Sequence, residues 1–308
     1  MRKMHISTNP VWVATYLSSC DRFENISDAL INEINRNLDH IFSNTPLVTI
    51  VIPAWNEEVN IVRTIYSLSA SKCSIPFEII VINNLSSDRT QEVLDRLHVK
   101  SYICNKQGCG PARQLGQEKA VGKYILMADA DCFYPSGWVQ RMVEELKKDN
   151  VVCVYGRYSF LATKDKQRWK LFLYECMRDI IAEFRHIKRP HLNALGMSMA
   201  YVKEFGLSVK FVERNIRGEA GRMCFDLMQF GEVRQIRDRS NRVWTLPRTL
   251  DKEGSLFKAL IRRIFFEFSR FQIYFKKQES HNTKTSESSN SPANNNGVKD
   301  SSIVQKAD

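Results

Sequence analysis

This 308-residue sequence predicts an α/β fold: a mostly parallel sheet covered on both faces by helices. Three observations carry that prediction. Short apolar runs alternate with amphipathic segments at intervals of roughly 20–25 residues, the rhythm of strand–helix–strand units. The runs are apolar almost throughout, as strands buried on both faces must be. Polar clusters at Trp55-Asn56-Glu57, Asn83-Asn84 and Asp129-Asp131 each follow one of these runs. They therefore fall at the carboxyl ends of strands, where open parallel sheets bind ligands.

The elements follow in order. Residues 1–45 form an N-terminal helical extension, with Asp28-Ala29-Leu30-Ile31 through Leu38, Ile41 and Phe42 at helical spacing. LVTIVIP, from Leu47, is a short buried strand that Pro53 should stop, and Asn56-Glu57-Glu58 opens a helix carrying Ile61, Ile65 and Leu68. FEIIVI (77–82) is the second strand, followed by the turn-rich NNLSSDRT and a helix with Val93, Leu94 and Leu97. A third strand covers 101–104, a helix runs from Pro111 to Ala120, and YILMA (124–128) is the fourth strand. Further on come a helix at 136–148, a strand at 151–155, helical stretches through 166–187, a strand at 195–201 and a helix at 219–230. Residues 254–277 read as a basic amphipathic helix rich in phenylalanine. The Ser/Asn/Thr/Lys-rich tail, 278–308, has too little apolar content to offset its ordering entropy and is expected to be disordered.

Composition narrows the function. A net charge of +11 points to an anionic partner without choosing among a nucleotide, an acidic membrane and nucleic acid. The eight cysteines form no C-x-x-C pair and several lie inside apolar runs, so they read as buried thiols of a reducing compartment. The six histidines show no metal-ligand spacing. The N-terminus makes a poor signal peptide, and no window approaches the roughly 18 apolar residues of a membrane span. The expected location is cytoplasmic, or peripheral at the inner face of the membrane.

Asp129-Ala130-Asp131 raises the sharpest chemical question. Hard cations such as Mg²⁺ and Mn²⁺ prefer carboxylate oxygens, and a turn at a strand end can aim two aspartates at one ion. A solvated turn is the alternative for such a pair alone. Trp55 has a flat ring suited to stacking a base, and Arg113, early in a helix, suits a diphosphate.

The stretches VTIVIPAWNEEVNI (48–61), VINNLSSDRT (81–90), GCGPARQLGQEKAVGKYILMADAD (108–131) and RGEAGRMCFDLMQFGEV (217–233) together resemble the family 2 glycosyltransferases, over about residues 47–248. The resemblance implies a GT-A nucleotide-binding fold. Together with the pattern of the two ends, it divides the chain into an extension (1–45), a transferase domain (46–250, with a nucleotide half to 132 and an acceptor half from 133), the basic helix (251–277) and the tail (278–308). It also implies site roles. Pro53 and Trp55 would line the nucleobase pocket, Glu57 would make a polar contact, and Asn83 and Asn84 stand where the family contacts the base with an Asp-Asp or Asp-Asn pair. Arg113 would lie by the nucleotide, Asp129 would face ribose or base, and Asp131 would hold Mg²⁺ or Mn²⁺.

The implied reaction is an inverting transfer from a nucleotide-diphosphate sugar to a hydroxyl of a glycan or lipid-linked acceptor, in cell-surface polysaccharide synthesis. It needs a base for the acceptor proton. The family usually has Gly-Glu-Asp; here Gly218-Glu219-Ala220 lacks the Asp, and Glu219 becomes the expected base. The rival reading keeps the fold but makes the protein a weak or inactive glycosyltransferase-like binder. Gly196-Met197-Ser198-Met199 and Arg242 through Arg248 resemble the loop before the base and the closing segment, whose basic residues would approach the diphosphate. A pyrophosphorylase would want a Gly-rich loop after the first strand, which Pro53-Ala54-Trp55-Asn56 does not supply. No signature supports a nucleic-acid partner. For 254–277, an anionic membrane surface and packing on a protein surface both remain open.

Overall fold

The computed structural model describes residues 5–212 and 218–248. The expected helix at 254–277 and the polar tail lie outside the described residues. Two helices, α1 (Val11–Leu17) and α2 (Asp28–Ile41), lead into β1 (Val48–Ala54), α3 (Asn60–Ser69), β2 (Phe77–Asn83), α4 (Thr90–Arg96) and β3 (Lys100–Ile103). Then follow α5 (Cys109–Lys119), β4 (Tyr124–Met127), β5 (Cys132–Phe133), α6 (Trp138–Leu146), β6 (Val151–Tyr155), β7 (Tyr158–Phe160) and the long α7 (Arg168–Lys188). The remainder is β8 (Met199–Val202), α8 (Lys203–Val209), α9 (Glu219–Leu227), β9 (Glu232–Gln235) and β10 (Val243–Thr245).

Seven strands form the main sheet in the order β3-β2-β1-β4-β8-β6-β9, and β5-β10-β7 form a small second sheet. The main sheet is parallel except for β8, which runs antiparallel to both β4 and β6. The chain runs outward from β1 through β2 to β3, then returns to lay β4 on the other side of β1. The crevice beyond β1 and β4 is therefore the topological switch point of the sheet. Val48, Ile50, Ile52, Leu126 and Val154 pack against the helices of one face, and Val51, Ile80, Ile125, Met127 and Cys153 against those of the other.

Pro53 does not stop β1, which continues to Ala54 with Pro53 opposite Ile82. The reason lies in the ladder. Val51 turns its carbonyl to Ala128 of the chain leaving β4, so Pro53, two residues on, also faces that side. The pairing with β4 ends at Val51 and Met127, so the missing proline N–H removes no bond. Of the strand expected over 195–201, only Met199–Val202 is extended; Gly196–Ser198 forms a 3-10 turn.

The first 45 residues pack on the body of the fold. The Asn35 side chain donates to Arg96 O at 2.9 Å and accepts from His98 N at 2.8 Å, and Tyr66 donates to Glu33 at 2.6 Å. All eight cysteines are free thiols, and five of them are buried. Among the described residues no helix is long and apolar enough to cross a membrane.

One buried group makes stability depend on pH. His191, in the 3-10 turn Pro190–Asn193, sits 5.0 Å from the Phe225 ring, and burial, helped by Arg189, lowers its pKa to about 4. The folded state thus prefers the neutral ring, so the unfolded chain binds the extra proton between that value and the ordinary 6.5. The contribution is complete above the unfolded value and fades as pH falls toward the folded one. After screening we expect a loss on the order of 2 kcal/mol across that window. Urea melts at a series of pH values should show the slope, reduced in His191→Gln; an unchanged slope refutes the assignment.

Candidate active site

Loops at the carboxyl ends of β1, β2, β3 and β4 enclose a cavity of about 520 Å³. Of the nine residues singled out from the sequence, all but Asn83 line it. The loop after β1 begins with Trp55, whose ring is 54% exposed, which excludes a core role and leaves it free to stack. This loop is clamped to the one after β2. Asn56, at φ 54°, accepts at Oδ1 from Ser87 N at 2.8 Å and donates from its own N to Ser86 Oγ at 3.0 Å. Glu57 N donates to Thr90 Oγ1 and Glu58 N to Asp88 Oδ2. SSDRT thus serves as a brace for the first loop, a role that its turn-rich composition alone does not reveal.

The two asparagines divide their work. Asn83 is buried at the end of β2, donating to Gln91 at 2.9 Å and accepting from Ser86 N at 3.0 Å, so it shapes its own loop and does not reach the cavity. Asn84 donates to Lys106 O at 2.8 Å and accepts from Gly108 N at 2.7 Å. It thereby sets the start of α5, where Gly108 adopts φ 133°, a conformation that an L side chain rarely tolerates.

At the centre lies Arg113, only 3% exposed, bonded through Nη2 to Asp129 Oδ1 at 2.8 Å and through Nη1 to Glu219 Oε1. Burial works against its charge, but the acids beside it outweigh burial and raise its pKa. The Cys109 thiol, pushed up to about 12 by burial, stays neutral and adds no countercharge. Asp129 is raised by burial, with Arg113 opposing. Gly196 supplies the space: a Cβ there would come within 1.8 Å of the guanidinium. Arg113 is thus a strut in the cavity wall that orients two carboxylates.

Asp131 is held at its carbonyl by Thr245 Oγ1 (3.4 Å), and Asp129 N donates to the Tyr134 hydroxyl at 2.8 Å. Tyr134 in turn donates to Met197 O at 3.1 Å, tying the acidic turn to the Gly196–Ser198 segment. Ligand atoms of Asp129, Asp131 and Cys132 lie within 4.8 Å of one another. Cys132 is fully buried, its pKa pushed well up by burial, and its thiol donates to Asp131. The available donors are therefore carboxylate oxygens facing an open cavity, a set that fits Mg²⁺ or Mn²⁺ and not a thiophilic ion.

Arg248 was expected only as part of a basic closing segment. It spans Glu57 Oε1 (2.9 Å) and Asp131 Oδ2, and both acids raise its pKa against the pull of burial. Burial raises the Glu57 pKa, opposed by Asn60 and Arg248. Arg242, from the same segment, turns the other way: it is buried on Asp179 and does not approach the cavity.

The side chains of 219 and 220 point apart. Glu219 opens α9 at the cavity wall, while Ala220, 4% exposed, packs with Met223, Cys224 and Leu227. An Asp at 220 in this backbone would enter the core. We expect Ala220→Asp to cost on the order of 3 kcal/mol and to leave turnover no higher. A gain of activity in a steady-state assay would refute this reading.

The profile of the family described as Glycosyl transferase family 2 matches residues 49–214, more than half of the chain. The chain belongs to that family. It is 30% identical over 131 residues to an uncharacterized glycosyltransferase of Haemophilus influenzae, covering 40% of this chain and 52% of the relative. It is 25% identical over 124 residues to the putative teichuronic acid biosynthesis glycosyltransferase TuaG of Bacillus subtilis, covering 38% and 48%. The matches thus span about half the length of these curated relatives. Among solved structures, it superposes with a TM-score of 0.50 at 18% identity on glucosyl-3-phosphoglycerate synthase from Mycobacterium tuberculosis, in complex with Mn²⁺, UDP-glucose and phosphoglyceric acid. The alignment covers 75% of this chain and 81% of that chain, and supports the GT-A fold.

Proposed function

We propose that this glycosyltransferase is an inverting, metal-dependent enzyme that moves a sugar from a nucleotide-diphosphate donor to an acceptor hydroxyl. The observation that carries the reading is the convergence of Trp55, Arg113, Asp129, Asp131, Glu219 and Arg248 on one cavity at the switch point of the sheet. Trp55 would stack on the base. Asp131, with Asp129 beside it, would hold Mg²⁺ or Mn²⁺, which supplies Lewis-acid stabilisation to the leaving diphosphate. Arg248, the more exposed of the two cavity arginines, is placed to exchange a carboxylate partner for the diphosphate. Glu219, oriented by Arg113, would take the proton of the acceptor hydroxyl. Cell-surface polysaccharide synthesis is supported by the likeness to the putative teichuronic acid biosynthesis glycosyltransferase of Bacillus subtilis.

Two measurements test this. A thermal-shift screen of uridine and guanosine diphosphate sugars with Mn²⁺ or Mg²⁺ should show a concentration-dependent rise in melting temperature, lost in Asp131→Asn. No rise with any sugar nucleotide refutes donor binding, and binding without hydrolysis or transfer would favour the inactive-binder reading. Trp55→Ala should weaken donor binding by about 10-fold to 100-fold, the worth of one base–aromatic stack. Equal affinity in a titration would remove Trp55 from the base pocket.

A further inference from the structure

Helix α7 presents a face that the sugar-transfer chemistry does not use. Trp169, Leu173, Met177, Ile180, Phe184 and Ile187 recur three or four residues apart and range from 40% to 75% exposed. The other exposed positions of the helix are Lys170 and Lys188, one near each end. Its acids are engaged by arginines: Arg168 holds the buried Glu175 at 2.8 Å, Arg242 holds Asp179, and Arg157 and Arg237 hold the half-exposed Glu183. A helix of 21 residues is about 30 Å long, so the stripe is a continuous apolar surface, larger than scattered exposed side chains produce.

Charge decides what covers it. In a symmetric pair of α7 helices, either direction sets lysines opposite lysines: Lys170 on Lys188 when antiparallel, each on itself when parallel. Glu183, the partly exposed acid of the helix, is already held by Arg157 and Arg237 and leaves that repulsion in place. Residues 254–277 are an equally poor occupant, carrying six basic residues against the single acid Glu267. An apolar stripe with cationic ends matches an anionic lipid surface, where side chains enter the acyl boundary and lysines reach headgroups.

We propose that this face of α7 seats the protein on an anionic membrane. The proposal stands on the helix alone. Taken with the transferase reading, it also bears on the acceptor: exposed Leu192 and Leu195 follow the helix in the chain and lead to Gly196, which packs on Arg113. A lipid-linked acceptor in the same membrane would reach the cavity beside Glu219.

The test is flotation of the full chain with phosphatidylcholine vesicles, with and without about 30 mol% phosphatidylglycerol. The wild type should float with the anionic vesicles. Partition should fall by at least about tenfold in Ile180→Gln/Phe184→Gln/Ile187→Gln, with no loss of melting temperature. Lys170→Glu/Lys188→Glu should lose the preference for anionic over neutral vesicles. A wild type that never floats overturns the proposal. So does a triple variant that floats equally, which would move the contact elsewhere, or a lipid-free dimer that the triple variant converts to monomer. Because the readout is binding, its failure leaves the sugar-transfer reading untouched, and loss of transfer leaves this one untouched.

Discussion

Glu219→Gln is expected to lower turnover by about 10²-fold to 10⁴-fold while donor affinity changes little, the signature of a lost general base. The amide removes the charge that would take the acceptor proton, but its carbonyl can still accept from Arg113. Folding stability should therefore move by no more than about 2 kcal/mol. Single-turnover rates and a donor titration on the same protein separate the two effects. Unchanged turnover would sink the base assignment. Weakened donor binding with normal turnover would instead make Glu219 a binding group.

Arg113→Ala should do more damage to the fold. It leaves Asp129 and Glu219 facing each other without their shared cation, in a wall where their side chains are 28% and 12% exposed. Removing one partner of such a buried network costs about 3 kcal/mol or more, because the remaining charges stay desolvated. Turnover should also fall by about 10²-fold or more, since Glu219 loses the group that orients it. Neutralising both acids as well, in Arg113→Met/Asp129→Asn/Glu219→Gln, should recover most of the stability and none of the turnover. Denaturant melts of the two variants check this. A loss below about 1 kcal/mol in Arg113→Ala would mean that solvent screens the network.

The parallel sheet was legible because its signal is local. Each strand from β1 to β4 is a contiguous apolar run, and a period can be read without knowing the neighbours. The site was legible to the extent that strand ends define it, so Trp55, Asp129 and Asp131 could be placed on one edge. Pro53 misled as a strand stop, because whether a missing N–H matters depends on where the neighbouring strand ends. The tasks of Asn83 and Asn84 were hidden for a similar reason: identical amides are distinguished only by which loop lies within reach. The inward turn of Ala220 could not be seen from the Gly-Glu-Ala spacing, since one residue along a helix rotates a side chain by about 100°.

Chain order and side-chain chemistry alone therefore identify an α/β fold, the edge of the sheet that carries its candidate site, and the acids suited to a hard cation. Only the tertiary structure shows that Arg113 is a buried strut between Asp129 and Glu219, that Arg248 returns from far along the chain to Glu57 and Asp131, and that α7 leaves an apolar face uncovered. The physical reason is range. Strand period and local turn chemistry act over a few residues, whereas ion pairing and exposure depend on groups that only folding brings within a few ångströms.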